Sequence, residues 1–205
     1  MDTIHWPIAY YQKSSKVRAI VLGCDPSNQH DRALKHAFGI GTESKKLRQF
    51  FNGIESNLGM FGLSRNDVYV QNLCQNYFNV ETSKNKEWMK AAKIWLPYLK
   101  EELDSLIACE TPVFMSAEII YRALLKESVK RLKAEALYSN LDLLPISSSD
   151  NYLERPLLPL FRGGRGKYNL NNGRWDSYVD YMKGDCSKKC VKVRFLKLNF
   201  AHDKN

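Results

Sequence analysis

The sequence predicts an α/β fold of three layers, α/β/α, in which helices cover both faces of a central, mostly parallel sheet. Short apolar segments rich in β-branched residues alternate along the chain with longer segments whose apolar residues recur every three or four positions. Of the 205 residues, 44% are hydrophobic and 12% are aromatic, which is enough for one sizeable core. We therefore expect a single domain over residues 1–205.

Four apolar segments are predicted to be the strands of this sheet. They span residues 17–23, 68–73, 112–115 and 141–146. A fifth strand is expected over residues 191–200, where apolar and basic residues alternate. The alternation shifts by one residue there, so we expect a bulge near Phe195.

The helical segments fall between these strands. A helix is predicted over residues 42–58 with Thr42 as its cap, and others over residues 84–106, 116–126 and 175–182. The second of them is expected to be interrupted at Pro97. Residues 147–171 are expected to form a long irregular stretch. Since ligands bind beyond the carboxyl ends of parallel strands, the loops after the first, second and fourth strands are the candidate binding loops.

The charge of the chain favours an anionic partner. It has 31 lysines and arginines against 22 acidic residues, a formal net charge of +9 and a pI of about 9.3. Nucleic acid is one partner that fits this balance.

The five cysteines are scattered and odd in number, and the chain shows no signal-peptide pattern, so a reducing, cytoplasmic location is expected. No apolar run is long enough to cross a membrane. Cys186 and Cys190 supply only two thiolates, fewer than a structural zinc or iron-sulfur site requires, so no metal is expected.

One motif carries a resemblance to a known family. Residues 21–27, Val-Leu-Gly-Cys-Asp-Pro-Ser, resemble the first motif of uracil-DNA glycosylases, in which a strand is followed by Gly-Gln-Asp-Pro-Tyr-His. Phe38 follows Asp25 by thirteen residues, the place of the family's base-stacking aromatic residue. Asn72 ends the next strand, as does the family asparagine that reads the uracil edge. The similar order of elements extends over residues 17–125.

This resemblance implies a uracil-DNA glycosylase-like domain that flips a damaged base out of DNA and hydrolyses its glycosidic bond. It implies that Asp25 stabilises the positive charge on the sugar or activates water, with Phe38 stacking on the base and Asn72 reading its edge. Gly23 and Cys24 would border the base. No cofactor is implied, DNA is the partner, and we expect a monomer.

Two positions depart from the family pattern. Ser27 stands where the family commonly has the tyrosine that blocks the thymine methyl, so strict exclusion of thymine is not expected, and Ser27 is a candidate contact to DNA or to the leaving base. The second family motif, His-Pro-Ser-Pro-Leu, would fall in residues 155–160, which contain no histidine. Arg162 or Arg165, in the glycine-rich stretch that follows, would then act on the base oxygen or on a phosphate.

Each candidate also has an ordinary structural alternative. Asp25 would cap the next backbone amides, Asn72 would end a strand by bonding its own backbone, and Phe38 would pack in the core. The two arginines would belong to a solvated loop. At the level of function, the alternatives are a non-catalytic nucleic-acid-binding protein of the same fold and a protein that acts on a small nucleotide or nucleoside.

Overall fold

A computed structural model of the chain describes residues 6–13, 15–26, 34–42, 45–162 and 166–184. Four strands form one sheet in the order β2-β1-β3-β4, and each neighbouring pair is parallel. The α/β class predicted from the sequence is confirmed.

The strands are short and entirely buried. In chain order they are β1 (Ala19–Gly23), β2 (Val68–Asn72), β3 (Val113–Met115) and β4 (Leu157–Pro159). Every residue of the four is buried, as expected when helices cover both faces of a parallel sheet. The first three strands lie where the sequence placed them, within one or two residues at each end.

The side chains of the strands show which helices cover which face. Tyr69 of β2 donates a hydrogen bond through its hydroxyl to Glu102. The row of side chains in register with Tyr69 on the neighbouring strands therefore faces the helix that carries Glu102. Phe114 lies in the next row, which points to the opposite face. Its ring stacks on Phe61 at 5.7 Å, and Phe61 in turn contacts Tyr178. Helices therefore lie on both faces, which makes three layers.

Five α-helices connect and cover these strands in the part of the chain that the structure describes. They are α1 (Lys45–Gly59), α2 (Trp88–Leu106), α3 (Glu118–Leu124), α4 (Ala134–Ser139) and α5 (Asp176–Lys183). The predicted interruption of α2 is wrong, because the helix runs through Pro97. Pro97 is exposed, while Leu96, Leu99 and Leu103 are buried on the other side, and this packing outweighs the missing hydrogen bond.

The predicted position of the fourth strand is also wrong. Leu141–Leu143 forms a 3₁₀ turn, and Pro145 next to it has no N–H to donate to a ladder. The strand that pairs with β3 is Leu157–Pro159, inside the stretch expected to be irregular. Prolines on both sides of Leu157 and Leu158 hid this strand. They are tolerated because β4 is the last strand of the described sheet, and on its far side Leu157, which keeps its N–H, forms an isolated bridge with Ile146.

The chain that leaves β4 is fixed at two places by side chains from other elements. On one side of residues 163–165, the Phe161 N–H donates to the Tyr138 hydroxyl at 2.7 Å. On the other side, the amide of Asn57 donates to the Tyr168 carbonyl and accepts from the Leu170 N–H, both at 3.0 Å. These two anchors come from α4 and α1, so two other elements fix the chain on either side of residues 163–165.

Some predicted features lie outside the described residues. They include the C-terminal strand with its bulge near Phe195, and the pair Cys186 and Cys190. The helix predicted to start at the cap Thr42 is described from Lys45 onward, and residues 43–44 between them lie outside the described residues. Among the described helices, none is both long and apolar enough to cross a membrane.

Candidate functional site

The carboxyl ends of β1 and β2 bring the predicted site residues to one edge of the sheet. Gly23, the last residue of β1, pairs in register with Asn72, the last residue of β2. The pairing extends one step beyond the strands, since the Leu73 N–H donates to the Gly23 carbonyl at 2.8 Å. Asp25 comes two residues after Gly23, in the loop that follows β1, and therefore lies at the same edge of the sheet as Asn72.

Asp25 is held by two donors from the segment that follows β2. Its Oδ1 accepts a hydrogen bond from the Thr82 hydroxyl at 2.5 Å and another from the indole Nε1 of Trp88 at 2.7 Å. Burial raises the pKa of this carboxyl above its ordinary value, and the hydrogen bonds from Thr82 and Trp88 lower it. Asp25 is thus a partly desolvated carboxyl group oriented by side chains more than fifty residues away.

Asn72 presents an unpaired donor at the same edge. Its side chain is buried, and its Nδ2 has no hydrogen-bond partner among the described residues. A buried N–H without a partner costs about 1–3 kcal/mol, so such groups are rare unless a ligand, a water molecule or an ion pairs with them. The Asn72 amide is therefore suited to bind a ligand acceptor such as a carbonyl oxygen.

Gly23 allows Asn72 and Phe38 to meet over the end of β1. A Cβ built on Gly23 would lie 2.3 Å from Asn72 Oδ1 and 2.6 Å from two ring atoms of Phe38. Phe38 is half-buried, its ring contacts that of Phe51 edge-on at 5.7 Å, and its backbone is left-handed, with φ +59°. A non-glycine residue in that region costs about 1–3 kcal/mol, and such strain concentrates at binding sites.

The two thiols nearby remain protonated at neutral pH. The pKa of Cys24 is raised far above its ordinary value by burial, then by Asp25 and Cys74. Burial, followed by Asp25, raises the pKa of Cys74 to about 12. Because a thiolate is the reactive form of cysteine, neither residue can serve as the nucleophile. Cys24 instead forms part of the neutral border of the site.

Arg162 reaches this edge from the loop after β4. Its backbone N–H donates to the Ser116 carbonyl at 2.8 Å, which ties the loop after β4 to the residue after β3. Its guanidinium lies close enough to Cys24 to lower the pKa of that thiol, against the larger effect of burial. The two other predicted contact residues, Ser27 and Arg165, lie outside the described residues.

Neither a scan against protein-family models nor a search of curated proteins found a match to this chain. The function must therefore be argued from the site itself.

Ligands of other kinds find less support in the site. In the described part of the chain, no three histidine, cysteine or acidic side chains are grouped so that they could hold a metal ion. His36, the one histidine in that part, lies with its Nδ1 3.2 Å from the Ala9 carbonyl oxygen and packs edge-on against Tyr10. It is engaged with the N-terminal segment.

The arrangement provides a carboxyl group, an amide with an open donor and an aromatic ring at one sheet edge. Sequence reasoning missed the two side chains that orient the carboxyl group, Thr82 and Trp88. Their separations from Asp25 are 57 and 63 residues, and no periodic pattern links positions so far apart. The only available signal was that a buried indole N–H needs an acceptor.

Proposed function

We propose that the chain is a DNA glycosylase that hydrolyses the N-glycosidic bond of uracil or a related damaged base, after flipping that base out of the helix. The observation that carries the proposal is the buried Nδ2 of Asn72, which has no partner among the described residues, next to the Phe38 ring and at the same edge as Asp25. The resemblance of residues 21–27 to the first motif of uracil-DNA glycosylases supports this reaction. The net charge of +9 supports DNA as the substrate.

Asn72 would select the base by the hydrogen bonds that its edge offers. Uracil presents a carbonyl acceptor beside an N–H donor, and an asparagine amide can pair with both at once. Cytosine presents the opposite order, with an amino donor beside a ring nitrogen acceptor, so it would leave buried polar groups unpaired. Mismatches of this kind give strong discrimination. The Phe38 ring would stack on the base and contribute about 1–3 kcal/mol to its binding.

Asp25 would act on the sugar while the bond breaks. In the reaction, the bond between the sugar C1′ and the base nitrogen breaks, and its electron pair leaves with the base. The positive charge that develops on the sugar is stabilised by the carboxylate. A water oxygen then bonds to C1′, and Asp25 accepts the released proton, which gives a free base and an abasic sugar. These steps require an ionised Asp25 and neither metal nor cofactor.

The departing base also needs a group that stabilises its negative charge. No histidine occurs in residues 155–160, and the side chains of Leu157, Leu158 and Leu160 are buried. Arg162, at the same edge, would supply a positive charge for the base oxygen or for a phosphate. We further propose that the enzyme works as a monomer in the cytoplasm.

The second candidate function is non-catalytic binding of nucleic acid by the same site. The observation in its favour is the missing leaving-group donor, because the loss of one such donor typically lowers the rate by about a hundred- to a thousandfold. A protein of this kind would bind DNA in a salt-dependent manner and leave the base attached.

The test is excision from end-labelled oligonucleotides that carry uracil opposite guanine, uracil opposite adenine or uracil in a single strand. Wild type is compared with Asp25→Asn, which keeps the shape of the side chain. Asp142→Asn is the matched control, since Asp142 is exposed and its substitution changes the net charge equally. We expect excision by wild type and by Asp142→Asn, and none by Asp25→Asn. Tight, salt-sensitive binding without excision by wild type would instead support the second function.

A further inference from the structure

Among the described residues, the carboxyl group of Asp25 is bonded through one oxygen alone. Both hydrogen bonds that the structure gives it end on Oδ1, and no bond to Oδ2 is present among the described residues. An indole N–H donates and cannot accept, so Trp88 requires an unprotonated oxygen at this position. Trp88 is 0% exposed and begins α2, which fixes its ring in place. Oδ1 is therefore held as an acceptor whatever happens at Oδ2.

The same two donors act against the effect of burial on the pKa of Asp25. Burial raises the pKa of Asp25, and the groups that lower it in the described part of the chain are the two neutral donors. The titratable neighbours that feel its charge are Cys24 and Cys74, whose own pKa values are raised partly by Asp25. No cation among the residues that the structure describes acts on Asp25, so within that part of the chain its ionised form depends on Thr82 and Trp88.

We propose that Thr82 and Trp88 are positioning residues for Asp25, which occupy Oδ1, keep the side chain a carboxylate and leave Oδ2 as the oxygen that meets water and the sugar. The inference rests on the proposed glycosylase function for the identity of the reaction. The ionisation of the Asp25 carboxyl group itself can be measured without substrate.

Thr82→Val tests this inference, with Thr82→Ser as the matched control. Valine has the shape of threonine and no hydroxyl, whereas serine keeps the donor. Thr82 is half-buried in a 3₁₀ turn, so neither change opens a core cavity. The first readout is the NMR titration of the ¹³C-labelled Asp25 carboxyl carbon. The second is the acid limb of the pH profile of single-turnover excision.

We expect Thr82→Val to move the Asp25 titration and the acid limb upward together by about one pH unit. The loss of one hydrogen bond to a charged group shifts its pKa by about that amount. Thr82→Ser should keep both near the wild-type values. Trp88→Phe should move them in the same direction as Thr82→Val, and thermal denaturation would show whether it folds.

The possible outcomes separate the two proposals. If wild type excises uracil and Thr82→Val leaves the NMR titration and the acid limb unchanged, the positioning role is overturned. If wild type excises nothing at any pH, the glycosylase proposal falls, and the NMR titration alone decides the role of Thr82. A raised titration in Thr82→Val that Thr82→Ser restores supports the inference, and an unchanged one rejects it.

Discussion

A methyl group at position 23 should close the site. Gly23→Ala would place its Cβ 2.3 Å from Asn72 Oδ1 and 2.6 Å from the Phe38 ring, whereas ordinary contacts begin at 3.4 Å. Both neighbours would have to retreat by about 1 Å. Gly23 itself is not left-handed, so the effect would come from this overlap and not from the backbone.

The size of the effect of Gly23→Ala depends on how far Asn72 and Phe38 can move. Asn72 is paired to Gly23 through the sheet, and Phe38 is fixed by a left-handed turn, so neither can retreat without strain. Overpacking of this kind costs about 1–3 kcal/mol of unfolding free energy. A displacement of 1 Å at a reacting site costs about a hundredfold in rate. We expect Gly23→Ala to show both losses.

Urea denaturation and single-turnover excision measure the two losses. Gly53→Ala is the matched control, because a Cβ at Gly53 meets nothing within 4 Å and alanine favours the helix in which it lies. It should be as stable as wild type or more so, with unchanged excision. If Gly23→Ala matched Gly53→Ala in both assays, the close approach of Asn72 and Phe38 over Gly23 would be refuted.

Four further predictions concern the other site residues. Because burial raises the pKa of Asp25, ionisation of this carboxyl group lowers the stability of the folded protein at neutral pH. In urea denaturation, Asp25→Asn should therefore be more stable than wild type at pH 7, by a margin that shrinks as the pH falls toward the ordinary pKa of an aspartate. An equal margin at pH 7 and at that lower pH would contradict this. Asp25→Ala should instead lose about 1–3 kcal/mol relative to Asp25→Asn, since it leaves the buried Trp88 N–H without an acceptor. Asn72→Leu removes a buried Nδ2 that has no partner among the described residues, so it should not lower thermal stability, while excision falls at least tenfold; a clear loss of stability would show that the amide is paired in the free protein. Arg162→Ala should reduce the salt dependence of DNA binding by about one phosphate contact, measured by titrations at several salt concentrations. Arg174→Ala, which removes an arginine paired with Glu135, should not, and equal slopes for both variants would remove Arg162 from the DNA contacts.

The hydropathy pattern predicted the strands and helices whose buried residues follow a regular spacing along the chain. β1 is a continuous apolar run, β2 begins with one, and α1 repeats its apolar residues at helical spacing, so each was found close to its true bounds. Prolines obscured β4, whose position depends on the neighbouring strand β3 and not on its own composition. Local pattern fails where tertiary contacts decide the structure.

The site was predictable to a similar extent. Parallel strands expose their carboxyl ends at one edge, so the proximity of Asp25 and Asn72 followed from the strand assignment. The contact of Phe38 with the site rested on spacing alone. The bonds from Thr82 and Trp88 to Asp25 depend on how a long connection folds back, and sequence periodicity contains no information about that.

The anchors on either side of residues 163–165 have a consequence for how this protein can change. Phe161 is bound by Tyr138, and Tyr168 by Asn57, so the ends of the loop are fixed by groups outside it. Insertions or replacements between the anchors would leave the sheet and its helices intact. This segment is therefore a natural place for loop grafting, where new chemistry could be introduced without redesigning the fold.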